Sequence, residues 1–151
     1  MENINEAAQA CEIAKQCAEI MLKEDFCSDA MGIKLRHVGQ GQSVMSMTVK
    51  KNMLNGHGSC HGGMLFTLGD SAFAVACNSE NQVAVAAGCS IEYIRPAFEG
   101  DELTATAEAK SQGKTTGTYD IEIRNQKDQL VALFRGKSHR FGKNFISVPS
   151  E

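Results

Sequence analysis

Residues 53–78, MLNGHGSCHGGMLFTLGDSAFAVACN, join a loop rich in glycine and histidine directly to an apolar segment that carries one acid. From Met64 to Cys77 the ordinary polar side chains are Thr67, Asp70 and Ser71, and apolar residues fall on every side of a helical projection. That pattern predicts a helix buried all round, with the rest of the chain packed about it. A carboxylate in such surroundings is costly unless it is paired, so Asp70 must find hydrogen bonds, stay close to water, or hold a proton.

The loop before the helix points the same way. Gly56, Gly58, Gly62 and Gly63 let backbone approach a ligand closely, and the free N–H groups of a helix start favour negative charge. Gly62 and Asp70 are eight residues apart, which at about 1.5 Å per residue places them roughly 12 Å apart along one helix. A base or nucleophile and an oxyanion donor must each come within about 3 Å of the same reacting centre. One helix cannot supply both. Two copies running antiparallel across a two-fold axis can, because Asp70 of one then falls beside the Gly62 end of the other. The expectation is a symmetric dimer with its active site at the subunit interface. The structural alternative is an Asp70 bonded to Ser or Thr neighbours above a loop whose glycines only make a tight turn.

Composition narrows the function classes. The 151 residues fit one domain with one core, and 42% hydrophobic against 22% charged residues is too apolar for disorder. Fifteen basic and 18 acidic residues give a net charge of −3 with no dense basic run, which argues against nucleic acid as the main partner. No apolar run reaches the roughly 20 residues needed to cross a bilayer, and the start MENINEAAQACE lacks the basic-then-apolar order of a secretory signal. The chain therefore reads as cytoplasmic, with no membrane partner. Six cysteines, at 11, 17, 27, 60, 77 and 89, form no CxxC pair and read as reduced thiols, most of them filling the core.

Outward from the central stretch, residues 4–23 predict an amphipathic helix with Ile4, Ala7, Ala8, Cys11, Ala14, Cys17, Ala18, Met21 and Leu22 on one face. It reads as a packing helix with no chemistry of its own. Residues 33–38 and 43–50 predict a strand pair joined by Gly39-Gln40-Gly41-Gln42. After Asn78 the chain is β. Val83 to Cys89 is apolar throughout and predicts a strand buried on both faces, continuing to Pro96. Leu103 to Ala109, Tyr119 to Ile123 and about Leu130 to Phe141 follow as strands separated by turn signals. One long helix and then a meander of four long strands imply an α+β fold, an antiparallel sheet of five to six strands curled round that helix.

Several chemistries compete for the loop. A Cys60-His61 nucleophile pair is disfavoured because adjacent residues rarely aim their side chains at each other. Zinc on His57, Cys60 and His61 lacks a second ligand pair, so no metal is expected. GHGSCHGG also lacks the Lys-Ser/Thr of a phosphate loop. Acyl chemistry remains: a carbonyl polarised by the N–H of Gly62 or Gly63 and attacked by Asp70, or by a water that Asp70 deprotonates. Asn55 and His61 flank the site and either orient water or brace the loop.

LNGHGSCHGGMLFTLGD at 54–70, with IEYIRP at 91–96, QGKTTG at 112–117 and FRGKSHR at 134–140, resembles hot-dog-fold acyl-CoA thioesterases of the phenylacetic-acid-degradation (PaaI) type over roughly residues 30–142. The resemblance implies a hot-dog domain at 30–142, after an N-terminal helical segment at 1–29 and before a tail at 143–151. It implies Asp70 as catalytic carboxylate, Gly62 as oxyanion donor and Asn55 with His61 beside them. Gly63, Tyr93, Arg95, Pro96, Gly113, Lys114, Thr115 and Thr116 match segments that contact coenzyme A in relatives. The implied reaction is hydrolysis of an acyl-CoA thioester, with aryl-acyl groups such as phenylacetyl or its ring-hydroxylated forms. Coenzyme A enters as part of the substrate, with no separate cofactor, and the implied assembly is a homodimer that pairs into a homotetramer. The chain departs from animal relatives at Ala86 or Ala87, where they carry a Ser. Two other readings of the same fold are an enoyl-CoA hydratase or dehydratase, whose His-Phe-Pro motif is absent here, and a non-catalytic acyl-CoA sensor, which ordinarily carries an appended DNA-binding domain.

Overall fold

The computed structural model describes residues 2–147; Met1 and residues 148–151, the end of the expected tail, lie outside the described residues. Helices α1 (Glu2–Lys23) and α2 (Phe26–Ala30) precede strands β1 (Lys34–Gly39) and β2 (Gln42–Thr48). A short 3-10 turn at Lys51–Met53 leads to helix α3 (Gly62–Cys77), then β3 (Ala84–Tyr93), β4 (Glu102–Gln112), β5 (Thr116–Arg124) and β6 (Leu130–Arg140). The six strands form one sheet in the order β1-β2-β4-β5-β6-β3, and every pairing is antiparallel. Helix α3 touches all six strands, so the sheet wraps it, and α1 lies against β1 and α3. This is the hot-dog architecture.

Alternation along the strands builds the core. Met45 and Met47 of β2, Leu103, Ala105 and Ala107 of β4, Tyr119, Ile121 and Ile123 of β5, and Ala132 and Phe134 of β6 are buried, alternating with more exposed neighbours except at Val131, which is buried beside Ala132. Two glycines exist for close packing. A Cβ on Gly136 would stand 2.7 Å from the Phe73 ring, and one on Gly69 would stand 2.9 Å from Phe134. Phe73 tilts against Tyr119 and Phe134 at centroid separations of 5.7 and 6.2 Å, an ordinary aromatic cluster.

Four expectations change. The strands after α3 are not a four-strand meander: β4-β5-β6 is one, but β3 crosses over to pair with β6. Val85 to Gly88 of β3 are therefore exposed rather than buried on both faces, because β3 is an edge strand. Helix α3 is not buried all round, since Gly63, Thr67, Asp70 and Ala74, at helical spacing, form a strip that the sheet leaves uncovered. On α1 the apolar face is buried only at Ala14, Cys17 and Ala18, and Ile4, Ala7 and Ala8 project beyond the sheet into solvent.

The beginning of the tail is tied back to the fold. Asn81 accepts from Phe145 and Ile146 N–H at 2.9 Å each and donates to Ile146 O at 2.8 Å. No helix of the described residues is long and apolar enough to cross a membrane.

Candidate active site

The loop before α3 is a small closed hairpin. Leu54 bridges Cys60, His61 N–H reaches Met53 O at 2.8 Å, and Cys60 N–H reaches Ala97 O at 2.7 Å. Asn55 braces its turn: its Oδ1 accepts from His57 N at 2.9 Å and Ser59 N at 3.2 Å. Gly58 takes a φ of +80° within that turn, a conformation suited to glycine. The contact with Ala97 holds the hairpin against the chain leaving β3.

His61 is the N-cap of α3, its Nδ1 accepting from Gly63 N–H at 2.9 Å. Of the two amides expected to polarise a carbonyl, Gly63 is thus engaged by its own cap. Gly62 N–H meets no acceptor among the described residues, and it opens the helix whose dipole favours an anion there. Tyr93 Oη donates to Gly62 O at 3.0 Å, and a Cβ on Gly62 would stand 2.9 Å from the same ring. Asn55, Gly62, Tyr93, Arg95 and Pro96 line one open cleft of about 450 Å³. A larger cleft of about 580 Å³, on the outer face of the sheet among Glu92, Glu108, Lys110 and Arg135, holds none of the expected site residues.

Asp70 is not in the Gly62 cleft of its own chain. It sits half-buried on the uncovered strip of α3, and no donor among the described residues meets its carboxylate. Burial pushes its pKa up, and the like charge of Asp25 adds to the rise. The neighbouring hydroxyls point elsewhere: Thr67 Oγ1 donates to Gly63 O at 2.9 Å, and Ser71 Oγ lies 2.9 Å from Ser28 Oγ. The alternative in which Asp70 is a structural acid bonded to Ser or Thr neighbours therefore finds no such bonds.

The two expected coenzyme A segments are also apart within one chain. Tyr93 pairs with Ala132 and Thr116 with His139, and seven residues of β6 at about 3.4 Å each separate them by roughly 24 Å. The Gly113–Thr116 turn is exposed and closed by Gly113 N–H on Thr116 O at 2.8 Å, with Arg140 N–H on Thr115 O at 2.7 Å. Lys114 and Thr115 project from it. Ala86 and Ala87 fall at the bulge where β3 shifts register against β6.

Thiol chemistry is disfavoured. Burial pushes Cys60 up to about 11, with the charge of Asp101 adding to it, and its Sγ lies 3.7 Å from His61 O rather than against the imidazole. Among the described residues no three His, Cys, Asp or Glu converge as a metal site would require.

Sequence reasoning missed Asp25 and Ser28. Asp25 four positions before Asp29 carries a readable helix-cap signal, but nothing local announces that Ser28 reaches Ser71, 43 residues away.

A thioesterase superfamily profile matches residues 57–132. The chain is 57% identical over 129 residues, 85% of its length and 92% of the relative's, to acyl-coenzyme A thioesterase PaaI of Escherichia coli (strain K12). The solved structure of the E. coli PaaI protein from the phenylacetic acid degradation operon superposes with a TM-score of 0.87 at 54% identity, covering 89% of this chain and 97% of that one. A hypothetical thioesterase from Streptococcus pneumoniae, solved with coenzyme A, matches with a TM-score of 0.74 at 30% identity over 80% of this chain and 98% of that one. With a sheet wound about α3, and with this agreement in sequence and fold, the chain belongs to the thioesterase superfamily, as a hot-dog acyl-CoA thioesterase of the PaaI type.

Proposed function

We propose that the protein is a cytoplasmic enzyme that hydrolyses aryl-acyl-CoA thioesters, phenylacetyl-CoA or its ring-hydroxylated forms, at sites built from two chains. Gly62 N–H of one protomer receives the carbonyl oxygen as it becomes an oxyanion. Asp70 of the partner subunit acts on the carbonyl carbon, directly or by taking a proton from water. With water as attacker, a C–O bond forms, the C–S bond breaks, and the proton taken by Asp70 goes to the departing coenzyme A thiolate. When Asp70 attacks directly, the thiolate departs and leaves a mixed anhydride, which water then cleaves to release the acid, the water's proton going to the thiolate. Asn55 and His61 hold the loop and the helix start rigid, so the donor is oriented before substrate arrives.

The single observation that carries this reading is the pair of unanswered groups on α3: an amide N–H without acceptor at Gly62 and a carboxylate without donor at Asp70. They stand roughly 12 Å apart along one helix, too far to share a carbonyl. The exposed edge of β3 supports the assembly. Val85, Tyr93 and Ile94 are about half exposed there, and the strand carries neither Lys nor Pro to discourage pairing. A second β3 added antiparallel brings the Tyr93–Pro96 end of one chain toward the Gly113–Thr116 end of the other, so one coenzyme A meets Tyr93, Arg95 and Pro96 from one side and Lys114, Thr115 and Thr116 from its partner. The coenzyme A bound by the S. pneumoniae relative supports this ligand class. Dimers pair further into tetramers, and no separate cofactor takes part.

A thiol-release assay over short-chain, long-chain and aryl acyl-CoAs tests the reading. Fastest turnover on aryl-acetyl thioesters is expected. Equal or faster release from long alkyl thioesters would overturn the substrate class, and binding without thiol release would overturn hydrolysis itself.

A further inference from the structure

We propose that Gln112 is a positioning residue for coenzyme A: its amide ties carbonyl groups of the Gly113–Thr116 turn inward, so that the turn meets the phosphate-bearing end of the substrate with its donors. The inference rests on the reading above, in which this turn takes coenzyme A.

Gln112 ends β4 and pairs with Gly117 across the hairpin to β5. Its side chain folds back into the turn, where Nε2 donates to Gly113 O at 2.8 Å and to Thr116 O at 3.3 Å. Its Oε1 accepts from Tyr119 Oη at 2.6 Å. These partners settle which way the amide points, because the two carbonyl oxygens only accept and the phenol has one hydrogen to give. Tyr119 is fully buried, so the amide is anchored to the core of the sheet as well as to the turn. Gly117 makes room for it: a Cβ there would collide with Oε1 and stand 2.9 Å from Cδ. Gly117 does not have a left-handed φ, so space, not backbone conformation, is what this position demands.

The hydrogen bonds sort the turn's polar groups by sign. Thr116 O also accepts from Gly113 N–H at 2.8 Å, and Thr115 O accepts from Arg140 N–H at 2.7 Å. The carbonyls of Gly113, Thr115 and Thr116 are therefore all answered within the chain. The N–H groups of Lys114 and Thr115, by contrast, meet no acceptor among the described residues, and both side chains are exposed. The turn thus offers a ligand two amide N–H groups, a hydroxyl and an ammonium, a set suited to phosphate oxygens. Without the Gln112 amide, Gly113 O loses its donor, and the turn has to be ordered when the substrate binds instead of beforehand.

The test compares, on the full-length chain, kcat/KM for an acyl-CoA with kcat/KM for the pantetheine thioester of the same acyl group, which presents the same carbonyl without the phosphates. Gln112→Met keeps the length of the side chain and removes its donors and acceptor. Gly117→Ala leaves Gln112 in the chain and evicts its amide. In each variant the ratio of the two kcat/KM values is expected to fall roughly 3–10-fold, the cost of ordering a turn on binding. The fall should come from a higher KM for acyl-CoA, with kcat and the pantetheine thioester unchanged. Lys114→Ala is expected to lower the same ratio. A ratio that holds in the Gln112 and Gly117 variants while Lys114→Ala lowers it would overturn the proposal. Equal losses on both thioesters, the mark of a residue that only holds the fold, would also overturn it. Where Gln112→Met does not fold, Gly117→Ala decides by the same criteria. A ratio that Lys114→Ala leaves unchanged would instead overturn the reading of the turn as a coenzyme A site.

Discussion

Tyr93 donates its hydroxyl to Gly62 O at 3.0 Å, across 31 residues of chain, while the N–H of the same Gly62 meets no acceptor among the described residues. The phenol anchors the carbonyl of Gly62, while the N–H of the preceding peptide stays without an acceptor among those residues. Helix start and strand end are thereby locked together at the cleft that Asn55, Arg95 and Pro96 also line.

That arrangement allows the N–H to be removed by itself. Gly62 is the first residue of α3, where proline is well tolerated, and the preceding His61 has φ −59° and ψ 135°, which proline accepts in its neighbour. Gly62→Pro deletes the donor, whereas Gly62→Ala keeps it and adds the same Cβ against the movable Tyr93 ring. Gly62→Pro should lower kcat by about 10²–10³-fold relative to Gly62→Ala, as measured by thiol release. His61→Ala removes the cap and should cost about 0.5–2 kcal/mol of stability in urea unfolding with a smaller loss of kcat.

Asp70→Asn should lower kcat by at least about 10²-fold. Its effect on stability depends on pH in a defined direction. Burial raises the pKa of Asp70 in the folded chain, so between the unfolded and folded values the native state binds more protons and stability falls as pH rises. Asn has no such loss. The thermal midpoint of the variant, compared with wild type, should therefore gain as pH rises through the carboxylate range and stay ahead at neutral pH.

The buried thiols should be silent. Burial pushes Cys60 up to about 11 and Cys77 up to about 12, while Cys27 is exposed. Titration with a thiol reagent at about pH 8 should label Cys27 first and Cys60 only on unfolding, and Cys60→Ser should keep wild-type turnover.

Core shape gives a fourth prediction. Gly136→Ala drives a methyl to 2.7 Å from the Phe73 ring, which Tyr119 and Phe134 hem in. Destabilisation of about 1–3 kcal/mol is expected from urea midpoints.

Much of this could be read along the chain. The apolar run Met64–Cys77 declares α3, and Leu103, Ala105 and Ala107 alternating with Thr104, Thr106 and Glu108 declare a half-buried strand, because both patterns are local. The place of β3 is not local. An all-apolar strand looks the same in the middle of a sheet as at an edge awaiting a partner, and only the pairing of Tyr93 with Ala132 separates the two. The glycine-rich loop and Asp70 stood out because such residues are costly in a core. Ser28 did not, since its contact with Ser71, 43 residues away, is one that no spacing rule anticipates.

The most direct measurement mixes two defective chains. Gly62→Pro and Asp70→Asn protomers, each nearly inactive by itself, are co-expressed and the mixed dimers assayed for thiol release. If each site takes its N–H from one chain and its carboxylate from the other, each mixed dimer holds one intact site, and random pairing restores about one quarter of wild-type activity. Activity no higher than that of the parents, with mixed dimers demonstrably present, would contradict a site shared between chains.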